Sequence, residues 1–337
     1  MVLIAPLFTA CTSISYYSQS VVGHGRLMLA RQPIEKALAS ADEDLRLKLE
    51  LAGKLRDFSV TELALPDNGS YRNYVALQRE FPVWTVVAAE EFSVEAHRWC
   101  YPVIGCAAYR GYFSESAAQR YAESLVQKGL EATVGGAPAY STLGWFDDPL
   151  LPSFMRYGEA DLAETLFHEL AHQRLYINGN SSFNEAFATV VGEQGAIRWL
   201  TMNRPEGVSA YEQRLRVRNE FSALLAEYKE QLAQLYASGK SADQMRIDKK
   251  GLFEQLRTDY EVLKKQSWQG VVWFDRWFDI PLNNARLAAF ATYRDLVPKF
   301  VELLVRCDNN FQQFYAILQG QRKRAEQTEV PQTCEAQ

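Results

Sequence analysis

The sequence predicts a mostly helical α+β protein with a small mixed or antiparallel sheet, a packed helix pair and a long helical hairpin. Three observations carry this. Apolar residues recur at helical spacing over most of the 337-residue chain. Runs rich in β-branched and aromatic residues are confined to residues 82–144. Residues 205–265 set apolar stripes against dense, nearly balanced charge. Hydrophobic residues make up 47% of the chain and charged residues 23%, the balance of a chain that buries a real core. The net charge of −5 leaves no basic footprint for a polyanion, so no nucleic-acid partner is expected. No apolar run reaches the ~20 residues of a bilayer-spanning helix, which excludes a polytopic membrane protein.

Met1 to Gly25 carries no Lys, Arg, Asp or Glu. Residues 1–11 resemble a bacterial lipoprotein signal, with the short apolar run ending in Leu7-Phe8-Thr9-Ala10-Cys11. Two features depart from it: no Lys or Arg precedes the run, and Phe8 is bulkier than the usual Leu. The alternative is the start of a helix or strand with an incidental Cys. Lipidation at Cys11 implies membrane attachment through acyl chains, at ~0.8 kcal/mol per buried CH₂, without a spanning helix. It also implies the periplasmic side of a bacterial cell envelope, as an outer-membrane lipoprotein. The other cysteines, Cys100, Cys106, Cys307 and Cys334, are even in number, as in an oxidising compartment. Cys100 and Cys106 flank a Pro and a Gly that let the chain turn back into a local disulfide. Cys307 with Cys334 is the second pair, and free buried thiols are the alternative for all four.

Residues 12–322 read as one domain. Residues 12–57 read as two helices, and Leu65-Pro66-Asp67-Asn68-Gly69-Ser70 as a break rich in turn residues. Pro82 to Ala88 and Ala107 to Tyr112 read as strands. Ser114 caps a helix that Gly129 stops. Glu131 to Val134 reads as a strand, with another over Ala139 to Gly144 after the Gly135-Gly136 pair. Residues 158–176 and 183–200 read as two helices joined by a short polar loop. In residues 205–265, Phe221, Leu225, Tyr228, Leu232 and Leu235 form one stripe. Leu252, Leu256, Tyr260 and Leu263 form the facing one, and Ala237 to Lys240 the turn between them. Residues 283–318 read as helix and residues 323–337 as a disordered tail.

The chemistry sits in Phe167-His168-Glu169-Leu170-Ala171-His172. Positions i and i+4 share a helix face, so His168 and His172 can grip one metal ion with Glu169 beside its open position. This is the H-E-x-x-H arrangement of zinc peptidases. A buried helix rarely carries such groups without partners. A tetrahedral site with one open position needs a third ligand. Glu185, early in the next helix, is the foremost candidate, and Glu164 and Glu193 compete with it. Glu185 has an alternative role in a capping box with Ser182. Tyr293 and Tyr140 are candidates to stabilise an oxyanion, and Asp147 and Asp148 to hold a substrate ammonium group. Core packing for the tyrosines and a turn before Pro149 for the acids are the simpler readings.

The motif followed by Asn184-Glu185-Ala186 resembles the gluzincins, the thermolysin-like clan. The resemblance implies a thermolysin-like helix pair, zinc bound by His168, His172 and Glu185, and Glu169 as general base. Thr189 stands where that clan places an Asp one turn after the ligand Glu, so the outer partner of a ligand His is unassigned. A longer resemblance covers most of the chain. Leu65 to Tyr71, Tyr140 to Pro149, Phe167 to Gln173, Phe183 to Thr189 and Asn283 to Leu287 are similar to a bacterial family of predicted aminopeptidases, many with a lipoprotein signal. It implies a zinc aminopeptidase acting on peptide substrates. The competing expectations are a zinc endopeptidase of the envelope and a non-catalytic envelope scaffold with a structural zinc.

Overall fold

The computed structural model describes residues 7–101, 105–294, 296–322 and 330–334, and of residues 7–15, 291–293 and 321–322 the backbone alone. In chain order its elements are α1 Leu7–Leu29, β1 Gln32–Pro33, α2 Ile34–Leu38, α3 Glu43–Thr61, β2 Asn73–Tyr74, β3 Val83–Glu90, β4 Trp99–Tyr101, β5 Gly105–Ala107, β6 Arg110–Tyr112, α4 Glu115–Val126 and β7 Leu130–Ala137. They continue with α5 Pro152–Met155, α6 Glu159–Arg174, α7 Ser181–Asn203, α8 Val208–Tyr236, α9 Ala242–Gln266, α10 Asp275–Phe278, α11 Asn284–Arg294, α12 Val297–Arg306 and α13 Phe311–Arg322. The mostly helical α+β class matches the expectation. The side chains of Cys11 and Tyr293 lie outside the described residues, as do residues 1–6 of the expected signal.

Of the mixed and antiparallel sheets left open by the sequence, the antiparallel one forms. Strand order is β6-β3-β7, with every ladder antiparallel. The expected strand over residues 139–144 is a loop instead, and β7 runs straight through Gly135 and Gly136, which face Thr85 and Trp84. The glycine pair does not break the strand. At Gly136 it leaves room for the Phe81 ring, which a β-carbon there would meet at 2.1 Å. Ala118, Ala122 and Leu125 of α4 close the sheet's apolar face against Trp84, Val86 and Ala88. The expected strand over residues 107–112 is split between β5 and β6. β5 pairs with β4, setting Cys100 opposite Cys106, and the two form a disulfide.

The main core forms around α6 and α7. Leu162, Leu166, Phe167 and Leu170 of α6 and Phe183, Phe187, Val190 and Val191 of α7 are all fully buried. Each such side chain contributes roughly 1.5–3 kcal/mol of burial, so the pair is held rigidly. The hairpin α8–α9 forms as the stripes predict. Phe221, Leu225, Tyr228, Leu232 and Leu235 face Leu256 and Tyr260 in a second core that also takes in Trp268 and Phe278. α11 joins sheet to hairpin: Asn284 donates to the Glu90 and Glu91 carbonyls at 3.2 and 3.0 Å and accepts from the Tyr236 hydroxyl at 2.8 Å.

The tail is partly pinned. Cys334 is disulfide-bonded to Cys307 at the end of α12, and Val330 is buried in the main core. A cross-link and an apolar anchor therefore order residues 330–334, correcting the expectation of disorder there. Residues 323–329 and 335–337 lie outside the described part.

Candidate metal centre

Two helices that meet through a six-residue loop build the site. Asn184 pins that loop: its Oδ1 accepts from the Ile177 amide and its Nδ2 donates to the Ile177 carbonyl, both at 2.8 Å. Asn180 caps α7 by accepting from the Phe183 amide at 3.1 Å. The capping box considered for Ser182 and Glu185 is therefore not formed. The Glu185 carboxylate turns to the imidazoles of α6 instead.

His168 Nε2 and His172 Nε2 lie 3.2 Å apart, and Glu185 Oε2 lies 3.4 Å from the first and 3.6 Å from the second. Metal–nitrogen and metal–oxygen bonds of ~2.0–2.1 Å in a tetrahedral shell place ligand atoms ~3.3 Å apart. The donor triangle therefore fits a zinc-sized ion, and its two nitrogens and one carboxylate oxygen are donors zinc accepts. Among the described residues these three are the only His, Cys, Asp or Glu group so disposed. The close approach of the helices depends on Gly192, where a β-carbon would meet the Glu164 carbonyl oxygen at 2.6 Å and the His168 β-carbon at 3.2 Å.

Burial works against charge at Glu185, yet the positive fields and hydrogen bonds of His172 and His168 outweigh it and hold its pKa at about 2. Burial also works against protonation of His168, but hydrogen bonding to Glu185 and the charge of Glu169 raise its pKa overall. At Glu169 burial is the largest effect and raises the pKa, while His168 and His172 pull it down. No hydrogen bond engages the Glu169 carboxylate among the described residues. A carboxylate left unpaired beside a ligand triad is free to exchange a proton.

The competitors are committed elsewhere. Glu164 accepts from Arg218 at 2.5 Å and from the Tyr211 hydroxyl at 2.6 Å. Glu193 accepts from Arg294 at 2.5 Å and from Arg218 at 3.2 Å. Asp148 is fully buried and accepts from the Thr142 amide, the Thr142 hydroxyl and Ser141. These three hydrogen bonds commit it to organising the 141–148 loop. Asp147 is exposed, its carboxylate filling the space where a Gly69 β-carbon would sit. The Tyr140 hydroxyl pairs with His24 Nδ1 at 3.0 Å. His172 Nδ1 is buried without a hydrogen-bond partner among the described residues, and Thr189 does not serve it.

Sequence reasoning missed what braces the site. Gln173, one turn after Glu169, accepts from Asn68 Nδ2 at 2.7 Å and donates to Ser70 Oγ at 3.1 Å. Arg56, fully buried, donates to the carbonyls of Pro66, Asn68 and Ser70 at 2.7, 3.0 and 3.1 Å. Tyr176 sets its ring edge-on to His172 with centroids 6.3 Å apart. The dense turn chemistry of residues 65–70 was the one signal in the sequence that this segment is built for a purpose.

A family model described as "Putative aminopeptidase" matches residues 15–330. The chain belongs to that family, whose name points to peptidase activity. No curated protein and no solved structure matches the chain.

Proposed function

We propose that the protein is a zinc-dependent peptidase, an aminopeptidase by its family name, with His168, His172 and Glu185 as ligands and Glu169 as general base. The observation that carries this is the triangle of His168 Nε2, His172 Nε2 and Glu185 Oε2, with sides of 3.2–3.6 Å, on the helix that carries an unpaired Glu169. Bound zinc supplies a Lewis acid and lowers the pKa of a water to ~7. Glu169 takes the proton from the attacking water and passes it to the leaving amine. His168 and His172 are held by the buried face of α6 and Glu185 by α7, so the donor set is organised before substrate arrives. A structural zinc site usually takes four protein ligands. Three converge among the described residues, which favours a catalytic site over a scaffold role.

The envelope address is part of the same proposal. The Cys11 signal supports a lipid anchor, and two disulfides suit an oxidising compartment. No helix among the described residues is long and apolar enough to cross a membrane.

The test is Glu169→Gln. The variant retains zinc at wild-type stoichiometry and loses peptide hydrolysis by about 10²-fold or more. Turnover at the wild-type rate refutes the assignment. Product mapping on a peptide library then shows single N-terminal residues for an aminopeptidase and internal cuts for an endopeptidase.

A further inference from the structure

The turn that packs on the active-site helix carries a tyrosine in an unusual state. Tyr71 is 1% exposed, and its backbone sits at φ 61. The left-handed region is strained for a bulky residue and persists where surrounding structure imposes it. Here Arg56 imposes it, holding three carbonyls of residues 66–70, and the Tyr71 amide donates to the Asp148 carbonyl at 2.6 Å. The hydroxyl is buried and makes no hydrogen bond among the described residues; Ser141 lies beside it without completing one.

The placement relates this hydroxyl to Glu169. Glu169 and Gln173 stand at i and i+4, on one face of α6. Gln173 holds Asn68 and Ser70 against that face, so the residue that follows Ser70 arrives beside Glu169. Burial raises the Tyr71 pKa first, and the charges of Glu169 and Asp148 raise it further, as expected of neighbours. The Glu169 carboxylate likewise lacks a hydrogen-bond partner among the described residues. A donor and an acceptor, neither hydrogen-bonded among the described residues, thus lie on the same side of α6. A buried donor left without a partner carries the full cost of its desolvation.

We propose that Tyr71 is a positioning residue for Glu169: its hydroxyl donates to the Glu169 carboxylate when substrate is bound and aims the free oxygen at the attacking water. Catalytic hydrogen bonds of this kind are commonly long in the free enzyme and tighten in the substrate complex. The backbone strain at Tyr71 is then the cost of presenting the hydroxyl from a turn that cannot drift. The proposal rests on Glu169 being the base.

Tyr71→Phe tests it, because the ring and its packing against Phe154 are kept. Removing an unpaired buried hydroxyl leaves the Tm unchanged or raises it by about 2 °C. Zinc stoichiometry and KM stay at wild-type values, while kcat falls about 10- to 100-fold. A wild-type kcat overturns the proposal. So does a lowered Tm, which shows a structural partner for the hydroxyl. Loss of zinc overturns it too, by showing that Tyr71 acts on the ligands. Failure of the underlying reading is separate, since it shows as an active Glu169→Gln variant, whereas failure for Tyr71 alone shows as full Tyr71→Phe activity beside an inactive Glu169→Gln.

Discussion

Gly192 and His168 meet across the α6–α7 interface so closely that one methyl group does not fit: a β-carbon at 192 would lie 3.2 Å from the His168 β-carbon and 2.6 Å from the Glu164 carbonyl oxygen. The glycine is therefore a spacer that sets how near the helices carrying His168 and Glu185 come. Backbone cannot swing aside as a side chain does, so the helices must separate. Gly192→Ala is expected to weaken zinc binding about 10- to 100-fold, as misplacing a ligand commonly does. Overpacking is expected to lower stability by about 1–3 kcal/mol. Competition with a chromophoric chelator reads the first effect and urea denaturation the second. Unchanged zinc affinity would show that the interface tolerates a wider spacing.

Zinc bound to the native state alone stabilises it by mass action, by ≈ 2.7 kcal/mol at a hundredfold excess over Kd. Stripping the wild-type protein with a chelator is expected to lower its Tm by several degrees, and zinc is expected to restore it. His168→Ala or Glu185→Ala should abolish the zinc-dependent part of the Tm. A chelator-induced shift that persists in both variants would place the stabilising metal elsewhere.

The part of the site that rests on local geometry was legible in the sequence. His168 and His172 are one turn apart on any helix, and the short loop before α7 brings Glu185 back to them. The hairpin stripes at Phe221 to Leu235 were legible for the same reason. What was not legible depends on contacts between distant segments. Asn68 reaches Gln173 across 105 positions and Arg56 reaches Ser70 across 14, and neither pairing has a periodic signature. Tyr71 adopts a left-handed backbone without being a glycine, so its residue type conceals it. The strand expected at 139–144 failed because Asp148 draws the Thr142 amide and hydroxyl into a loop, a competition that strand propensity does not weigh.

Asp148 gives the pH dependence. Burial, reinforced by the charge of Glu169, pushes its pKa up to about 6 against the hydrogen bonds from Thr142 and Ser141. An unfolded Asp titrates near ~3.9. Between those values the folded state binds more protons than the unfolded state, so stability falls as pH rises through the window. The contribution is fully present below ~4 and lost above about 6. Comparing wild type with Asp148→Asn cancels the other carboxylates. The wild type is expected to lose roughly 2 kcal/mol relative to the variant between pH 4 and 6.5. A flat difference, measured by urea denaturation across that range, would mean that Asp148 stays ionised throughout.

An ionic cluster lies behind the His168–His172–Glu185 group. Arg218 of α8 pairs with Glu164, one turn before His168, and with Glu193, two turns after Glu185, while Arg294 of α11 pairs with the same Oε1 of Glu193. The Glu193 side chain is 3% exposed and that of Arg294 8%. Burial raises the Glu193 pKa despite Arg294 and Arg218, whereas at Glu164 Arg218 overcomes burial and lowers it. Arg218 is the common partner, so Arg218→Met leaves two carboxylates short of a cation. The expected loss is about 3 kcal/mol. Adding Glu164→Gln to Arg218→Met removes one uncompensated charge and is expected to restore part of that stability. Because both acids lie on the helices that carry His168 and Glu185, the single variant should also bind zinc more weakly and the double variant less so. A double-mutant cycle in urea, run beside zinc titrations, separates the two effects. Strict additivity of the two substitutions would show that Arg218 and Glu164 do not act on each other.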